Sequence, residues 1–283
     1  MRQRTVSSIG VVLVGLVPAI LGGMTFVIAF MGLFILAFTE LAAMMKVNSA
    51  AFRYLGGGLI LLAGFLPVVQ SDNDGLPLLL AALVMLPLVV AIFTRGQTVM
   101  DLWSRSSAAS LYLAVPAFAA VSIRQLEGES SAWLVELDGV FFSGGSDTSL
   151  GLGWFLLVLF VTWLSDTGAY LVGKNVGRRK LLPRVSPNKT VEGAIGGLGF
   201  SALTGLLCSW LFKLEVQPWL AIVLGIVLGA AGMLGDLAES AIKRQLGVKD
   251  SGTLIPGHGG VLDRIDALLF ALVTAWLIIP ILS

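Results

Sequence analysis

The chain has 283 residues, 57% of them hydrophobic and only 12% charged, with a mean hydropathy of +0.93. Soluble domains carry about 25% charged residues, and one soluble core cannot bury this much apolar side chain, so the composition excludes a soluble globule and, equally, a disordered chain. Eighteen Lys and Arg against 17 Asp and Glu leave no basic excess to spread along a nucleic-acid backbone, and one cysteine and one histidine exclude an internal disulfide and a polyhistidine metal site.

A membrane-crossing helix needs about 20 mainly apolar residues. Nine candidate segments occur, at about 7–22, 24–44, 54–70, 76–94, 107–123, 152–173, 191–212, 218–243 and 263–282. Their apolar runs are continuous rather than alternating, which excludes spanning β-strands. The fold class expected is all-α, a polytopic helical membrane bundle. Gly22 and Gly23 divide the first two segments, which read as a tight helical hairpin. Pro116 interrupts the fifth, whose flanks are rich in serine. Arg2 and Arg4 before an apolar run resemble a signal peptide, but no small-residue cleavage site follows and the apolar run resumes at Met24. A first membrane helix is the better reading.

Orientation follows the positive-inside rule. Nine spans with the N-terminus inside place every Lys and Arg on the inner side except Arg124 and Lys213. The C-terminus then lies outside. Three regions result: a hydrophobic half with five helices (1–123), an outer loop (124–151) and a C-terminal half with four helices (152–283).

Ionisable groups are scarce in the first five helices, Glu40 apart, and gather in the last four. Asp166 lies within the sixth segment, Glu192 opens the seventh, Asp236 and Glu239 sit in the inner part of the eighth, and Asp263 and Asp266 open the ninth. A carboxylate at membrane depth is costly and normally faces a bundle interior or watery cavity. Asp236, Glu239, Ser240 and Lys243 are spaced i, i+3, i+4 and i+7, so they share one helical face. Asp263 and Asp266 share another. Carboxylates from two facing helices suit Mg²⁺, which takes one or two and fills its shell with water and phosphate oxygens. The alternative is an internal salt-bridge network, for example Glu239 with Lys243 and Asp263 with Arg264.

The adjoining loops suit anions. Ser186 followed by Pro187 reads as a helix N-cap with proline in the first turn. Asn188, Lys189 and Thr190 would then present a hydroxyl, an ammonium and free N–H groups to a phosphate. Arg178, Arg179 and Lys180 fit either a phosphate site or simple topology duty. Between the eighth and ninth segments, glycines at 257, 259 and 260 leave the backbone open to a ligand, with His258 among them. Cys208, in an apolar helix, reads as a small buried hydrophobe.

Ser240-Ala241-Ile242-Lys243-Arg244, then Lys249-Asp250-Ser251-Gly252, then Ile255 to Asp266 (IPGHGGVLDRID) together resemble the signature of the phosphatidate cytidylyltransferase, or CDP-diacylglycerol synthase, family. Ser165 to Tyr170, Ser186 to Gly193 and Gly235-Asp236 resemble further segments of it, so the resemblance covers roughly 160–270. It implies transfer of CMP from CTP to phosphatidate, giving CDP-diacylglycerol and pyrophosphate, with Mg²⁺ and room for a second metal or a monovalent ion. With the two-helix geometry it singles out Asp236 and Asp263 as metal ligands, with Asp266 third, and Lys243 as a catalytic cation. Lys189, Arg244, Lys249 and Arg264 are expected on phosphate oxygens. Ser186, Asn188, Thr190, Ser240 and His258 would orient substrate, and Asp166 and Asp250 would support them. Expected partners are CTP, phosphatidate and membrane lipid but no nucleic acid, with a homodimer left open. The expected location is a bacterial cytoplasmic membrane, active site inward.

Two rival functions remain at this point. A CTP-dependent polyprenol or lipid kinase would share much of the chemistry. An ion-coupled transporter would place its charge nearer the bilayer midplane, on paired broken helices.

Overall fold

The computed structural model describes residues 13–47, 49–70, 75–95, 98–139, 148–255 and 259–282. A helical stretch over 13–21 (α1) leads into α2 (Gly23–Met44), α3 (Ala50–Val69), α4 (Leu76–Phe93) and α5 (Val99–Arg124). A short helix, α6 (Ala132–Gly139), lies within the expected outer loop. The C-terminal set is α7 (Ser149–Val176), α8 (Val191–Phe212), α9 (Pro218–Gln245) and α10 (Leu262–Leu282). Between α7 and α8 stands an antiparallel hairpin of β1 (Lys180–Leu182) and β2 (Ser186–Thr190), paired Lys180 to Thr190 and Leu182 to Ser186.

Eight helices, α2–α5 and α7–α10, are long and apolar enough to cross a membrane. They correspond to the second through ninth expected spans. Of the first, about 7–22, the part before residue 13 lies outside the described residues, and 13–21 is helical. The protein is thus a polytopic helical membrane protein. Large apolar side chains such as Ile28, Ile92, Leu203, Leu207, Trp210, Leu277 and Ile281 project outward, the face that lipid requires.

The fifth segment is longer than expected and Pro116 does not break it. The helix runs from a Thr98 cap, whose hydroxyl accepts from the Asp101 N–H at 3.4 Å, through Pro116 to Arg124. The reason is its position: α5 packs against α2, α3, α4, α7 and α10. Its serines 106, 107 and 110 and its many alanines are buried, because small residues let neighbouring helices approach closely in lipid. Composition that made the segment look marginal marks the innermost helix.

The two halves are joined through aromatic contacts. Phe26 and Phe30, one turn apart on α2, each set an edge against Phe155 of α7, with centroids at 5.1 and 5.2 Å. Phe118 of α5 meets Trp276 of α10 edge-on at 5.6 Å. In the C-terminal half α8 and α9 cross closely: a Cβ on Gly205 would lie 2.4 Å or so from the Ala221 carbonyl, so only glycine permits this seam. That crossing fixes where α9 delivers its charged end.

The loop ends of the bundle differ. At one end Arg124, only 2% exposed, donates from Nε to Ala19 O at 2.9 Å and from Nη1 to Thr148 O and Oγ1 at 3.2 and 3.1 Å. Its Nη2 pairs with Asp138 of α6, whose other oxygen accepts from Thr148 Oγ1 at 2.8 Å. Lys213 sits at this end too, just beyond Phe212, whose carbonyl accepts from Ser130 Oγ. Within the expected outer loop, the described residues thus hold Arg124 in a closed, locally neutral pair with Asp138. The opposite end carries the residues discussed next.

Candidate functional site

Four elements bring charged side chains together: the C-terminal half of α7, the β2–α8 junction, the last three turns of α9 and the start of α10. The helical face read from α9 forms as spaced. Ser240 Oγ donates to Asp236 Oδ1 at 3.3 Å and Lys243 Nζ to Glu239 Oε2 at 3.1 Å.

Contacts between elements then tie these faces together. Lys189 Nζ lies 2.6 Å from Asp236 Oδ2, which links β2 to α9. Lys243 Nζ lies 2.5 Å from Asp263 Oδ1, which links α9 to α10. Asp263 Oδ2 accepts from the backbone N–H of Ser251 at 2.9 Å and of Gly260 at 2.7 Å. Of the two salt bridges named as an alternative, Glu239–Lys243 is present. Asp263 takes Lys243 rather than Arg264, because its neighbour on α10 necessarily points to another face of the helix and is exposed.

Deeper between α9 and α10, the carboxyls of Glu239 and Asp266 face one another within hydrogen-bonding reach. Glu239 is fully buried, and its Oε1 meets no donor among the described residues. Two carboxyl oxygens can share such a space only with a proton or a cation between them. Asp166 on α7 lies in the same field, near Asp236, Asp266, Lys189 and Arg264. From α5, the buried Tyr112 hydroxyl also meets Glu239, Asp266 and Asp236 electrostatically, and has no hydrogen-bond partner among the described residues.

Beside this cluster opens a cavity of about 480 Å³. Asp166, Tyr170, Lys174, Asn188, Lys189 and Asp236 supply its polar wall, and Leu181 and Met233 are among its apolar lining. Lys174 Nζ stands 5.6 Å from the centre of the Tyr170 ring. A space of this size, mostly apolar with a few converging polar groups, is of the kind that holds a small ligand.

One local expectation is overturned. Ser186 and Pro187 do not cap α8; they belong to β2, and the helix starts five residues later at Val191. Thr190 is the cap, its Oγ1 accepting from the Gly193 N–H at 3.1 Å. Pairing with β1 keeps 186–190 extended, and proline at the second strand position is tolerated because the hairpin has free edges. The consequence is useful: an extended β2 carries Lys189 across to Asp236. Glu192, in the first turn of α8, accepts from the N–H groups of Arg178 (2.9 Å) and Arg179 (3.1 Å) and so fixes the approach to the hairpin.

The remaining candidates divide clearly. Asn188, Lys189, Thr190, Asp166 and Asp236 line the cavity. Ser240, Lys243, Asp263 and Asp266 stand behind it. Arg244 reaches the carbonyls of Val185 and Val248, both at 3.4 Å, and ties the hairpin to the end of α9. Ser186 lies at the far end of β2; Lys249, Asp250 and Arg264 are exposed. His258 lies outside the described residues. Cys208 is buried, as read. Sequence reasoning left Glu239, Tyr112, Tyr170 and Lys174 off the site. Glu239 had a visible signal, since it shares the Asp236–Lys243 face; an uncharged tyrosine on another helix had none.

Could these residues hold a metal? Among the described residues, no three or more His, Cys, Asp or Glu side chains form a ready-made metal cage. Mg²⁺ does not require one, since water and phosphate oxygens complete its shell. The donor set fits: hard carboxylate oxygens, two of them already paired with ammonium groups, and a buried Glu239 whose Oε1 meets no donor among the described residues.

The model of the family described as "Cytidylyltransferase family" matches residues 2–282. A protein named phosphatidate cytidylyltransferase from Staphylococcus saprophyticus is 34% identical over 276 residues, 96% of each chain. Proteins of the same name from Staphylococcus epidermidis and Staphylococcus haemolyticus are 48% identical over 124 residues and 46% over 132. These two alignments cover 44% and 47% of this chain, and 48% and 50% of the relatives.

Proposed function

Because the chain belongs to the cytidylyltransferase family and is a nucleotidyltransferase by that membership, we propose that it transfers CMP from CTP to phosphatidate with the help of Mg²⁺. The observation that carries this reading is the junction of β2, α9 and α10. There two ammonium groups, Lys189 and Lys243, meet an acidic cluster beside a cavity of about 480 Å³.

The chemistry asks little of proton transfer. A phosphomonoester has a second pKa near 6, so phosphatidate is largely dianionic at neutral pH and already nucleophilic. One of its oxygens bonds to the α-phosphorus of CTP, the bond from that phosphorus to the bridging oxygen breaks, and pyrophosphate leaves. What the protein must supply is alignment and neutralisation of two polyanions. Bound Mg²⁺ would add positive charge at the reacting phosphates.

Asp236, at the cavity wall, is the first candidate ligand, with Asp266 behind it. Asp263 reaches a metal only by exchanging Lys243, which would release that ammonium towards phosphate. Lys189 would make the same exchange from Asp236. Each lysine is thereby held close to the substrate before the substrate arrives. Asn188 and Lys174 would face the ligand from the cavity wall, and Lys249 and Arg264, exposed nearby, would attract its phosphates. The inner face of a bacterial cytoplasmic membrane is the proposed location, because the basic residues crowd this end of the bundle.

The test is a kinetic comparison of Lys189→Ala with wild type in CDP-lipid formation. CTP is varied at fixed phosphatidate, then phosphatidate at fixed CTP. A fall in kcat/KM for at least one substrate supports the reading. Unchanged kinetics with both would remove Lys189 from the site.

A further inference from the structure

Glu40 lies near the end of α2, in the half whose helices carry few ionisable groups, yet it reaches the family signature. Its Oε1 accepts from the Val261 N–H at 3.0 Å. Its Oε2 accepts from the Leu262 N–H at 2.9 Å and from Ser251 Oγ at 3.1 Å. The two N–H groups stand at the start of α10, where no intrahelical carbonyl is available to them. A carboxylate at that end is also favoured by the helix dipole.

The same short stretch of backbone is held from its other side by Asp263. Ser251 N and Gly260 N donate to Asp263 Oδ2, and Lys243 holds Oδ1. Ser251 therefore binds both carboxylates, through its hydroxyl to Glu40 and its N–H to Asp263. Gly260 leaves room for this: a Cβ there would overlap Ser251 Oγ and Glu40 Oε2. The backbone at 251 and 260–262 is clamped between two acids from opposite halves of the chain.

We propose that Glu40 is a positioning residue for nucleotidyl transfer, which sets the start of α10 and so holds Asp263 and the Lys243 ammonium in place. This rests on the assignment of Asp263 and Lys243 to the reaction site made above. Glu40 touches no substrate in this account; it acts through the backbone. The apolar half thereby gains a part in the reaction, because its second helix determines the geometry of the site.

The experiment uses the full-length protein in lipid nanodiscs. Glu40→Gln, Glu40→Asp, Ser251→Ala and the Glu40→Gln/Ser251→Ala double variant are compared with wild type in steady-state CDP-lipid formation. Hydrogen exchange is followed in a peptide spanning 251–262 and in one from α3. Hydrogen bonds to a charged group are strong enough that Glu40→Gln should lower kcat about 10- to 100-fold. A positioning role leaves KM for CTP and phosphatidate within about threefold of wild type. Glu40→Asp should recover part of the loss, and Ser251→Ala should lose less than Glu40→Gln. The double variant should lose less than the product of the single losses, since both act on one stretch of backbone. Exchange should quicken in 251–262 and stay unchanged in α3.

Glu40→Gln turnover within about twofold of wild type would overturn the proposal. So would multiplicative losses in the double variant, or unchanged exchange in 251–262. If Glu40→Gln does not fold, Ser251→Ala decides by the same kcat and exchange criteria. If wild type makes no CDP-lipid, the nucleotidyltransferase reading fails separately. The positioning proposal then fails with it as a catalytic statement, whatever the exchange data show of the clamp.

Discussion

Both ends of the bundle bury charge, and they do it differently. At the α5–α6–α7 end one cation, Arg124, meets one carboxylate, Asp138, and its remaining donors are taken by Ala19 and Thr148. At the α8–α9–α10 end, five carboxylates (Asp166, Asp236, Glu239, Asp263 and Asp266) surround two contacting ammonium groups. There Glu239 Oε1 and the Tyr112 hydroxyl remain without partners among the described residues. A balanced, closed knot stabilises. An unbalanced cluster beside an open cavity is costly to maintain unless a ligand completes it. The difference supports the proposed placement of the reaction site without reference to any motif.

The comparison can be broken from either side. The largest effect should come from Asp236→Asn, which removes a full charge at the cavity wall while keeping the shape. CDP-lipid formation should fall about a hundred- to a thousandfold, the range seen when a group stabilising the transition state is lost. The melting temperature in detergent should stay close to wild type. Near-full activity would show that the excess of acid is not catalytic.

Arg124→Ala should do the reverse. Breaking a largely buried ion pair from one side costs up to about 3–5 kcal/mol, because Asp138, whose side chain is only 14% exposed, loses its cation and keeps only the Thr148 hydroxyl. Thermal unfolding should shift down markedly, with kcat of the surviving folded enzyme little changed. Loss of kcat at unchanged stability would contradict the division between the two ends.

A smaller effect is expected of Lys174→Ala. It removes one ammonium from the cavity wall and its contact over Tyr170, an exposed interaction worth about 0.5–1 kcal/mol. A several-fold rise in KM for CTP or phosphatidate is expected, read by the same assay. The least should come from Thr190→Val, which removes the α8 cap. It should cost about 1 kcal/mol in stability, with Lys189 still able to reach Asp236. A loss of activity as deep as that of Asp236→Asn would instead give the Thr190 hydroxyl a direct part in binding.

What was legible in the sequence follows from the range of each interaction. The membrane helices were legible because span length and apolar continuity are local: α8 begins and ends where its run of apolar residues does. The α9 face was legible for the same reason, since Asp236–Ser240 and Glu239–Lys243 are one turn apart. Contacts between helices were not. Lys189–Asp236 depends on a hairpin whose strands are three and five residues long, and the pattern Ser-Pro fits a helix start as readily as a strand. Lys243–Asp263 and Glu40–Leu262 depend on how helices rotate about their axes, which periodicity leaves undetermined. Glu40 did carry a signal: it was a lone carboxylate near the end of an apolar helix, where burial of charge demands a partner.

The most direct test of the central claim is pyrophosphate release by the purified protein given CTP, phosphatidate and Mg²⁺, with each omitted in turn. The account predicts release only when all three are present, in step with formation of a CDP-lipid. No release from folded protein, or release that proceeds without phosphatidate, would contradict it. CDP formation from CTP and a polyprenol would then assign the same acidic cluster to a lipid kinase.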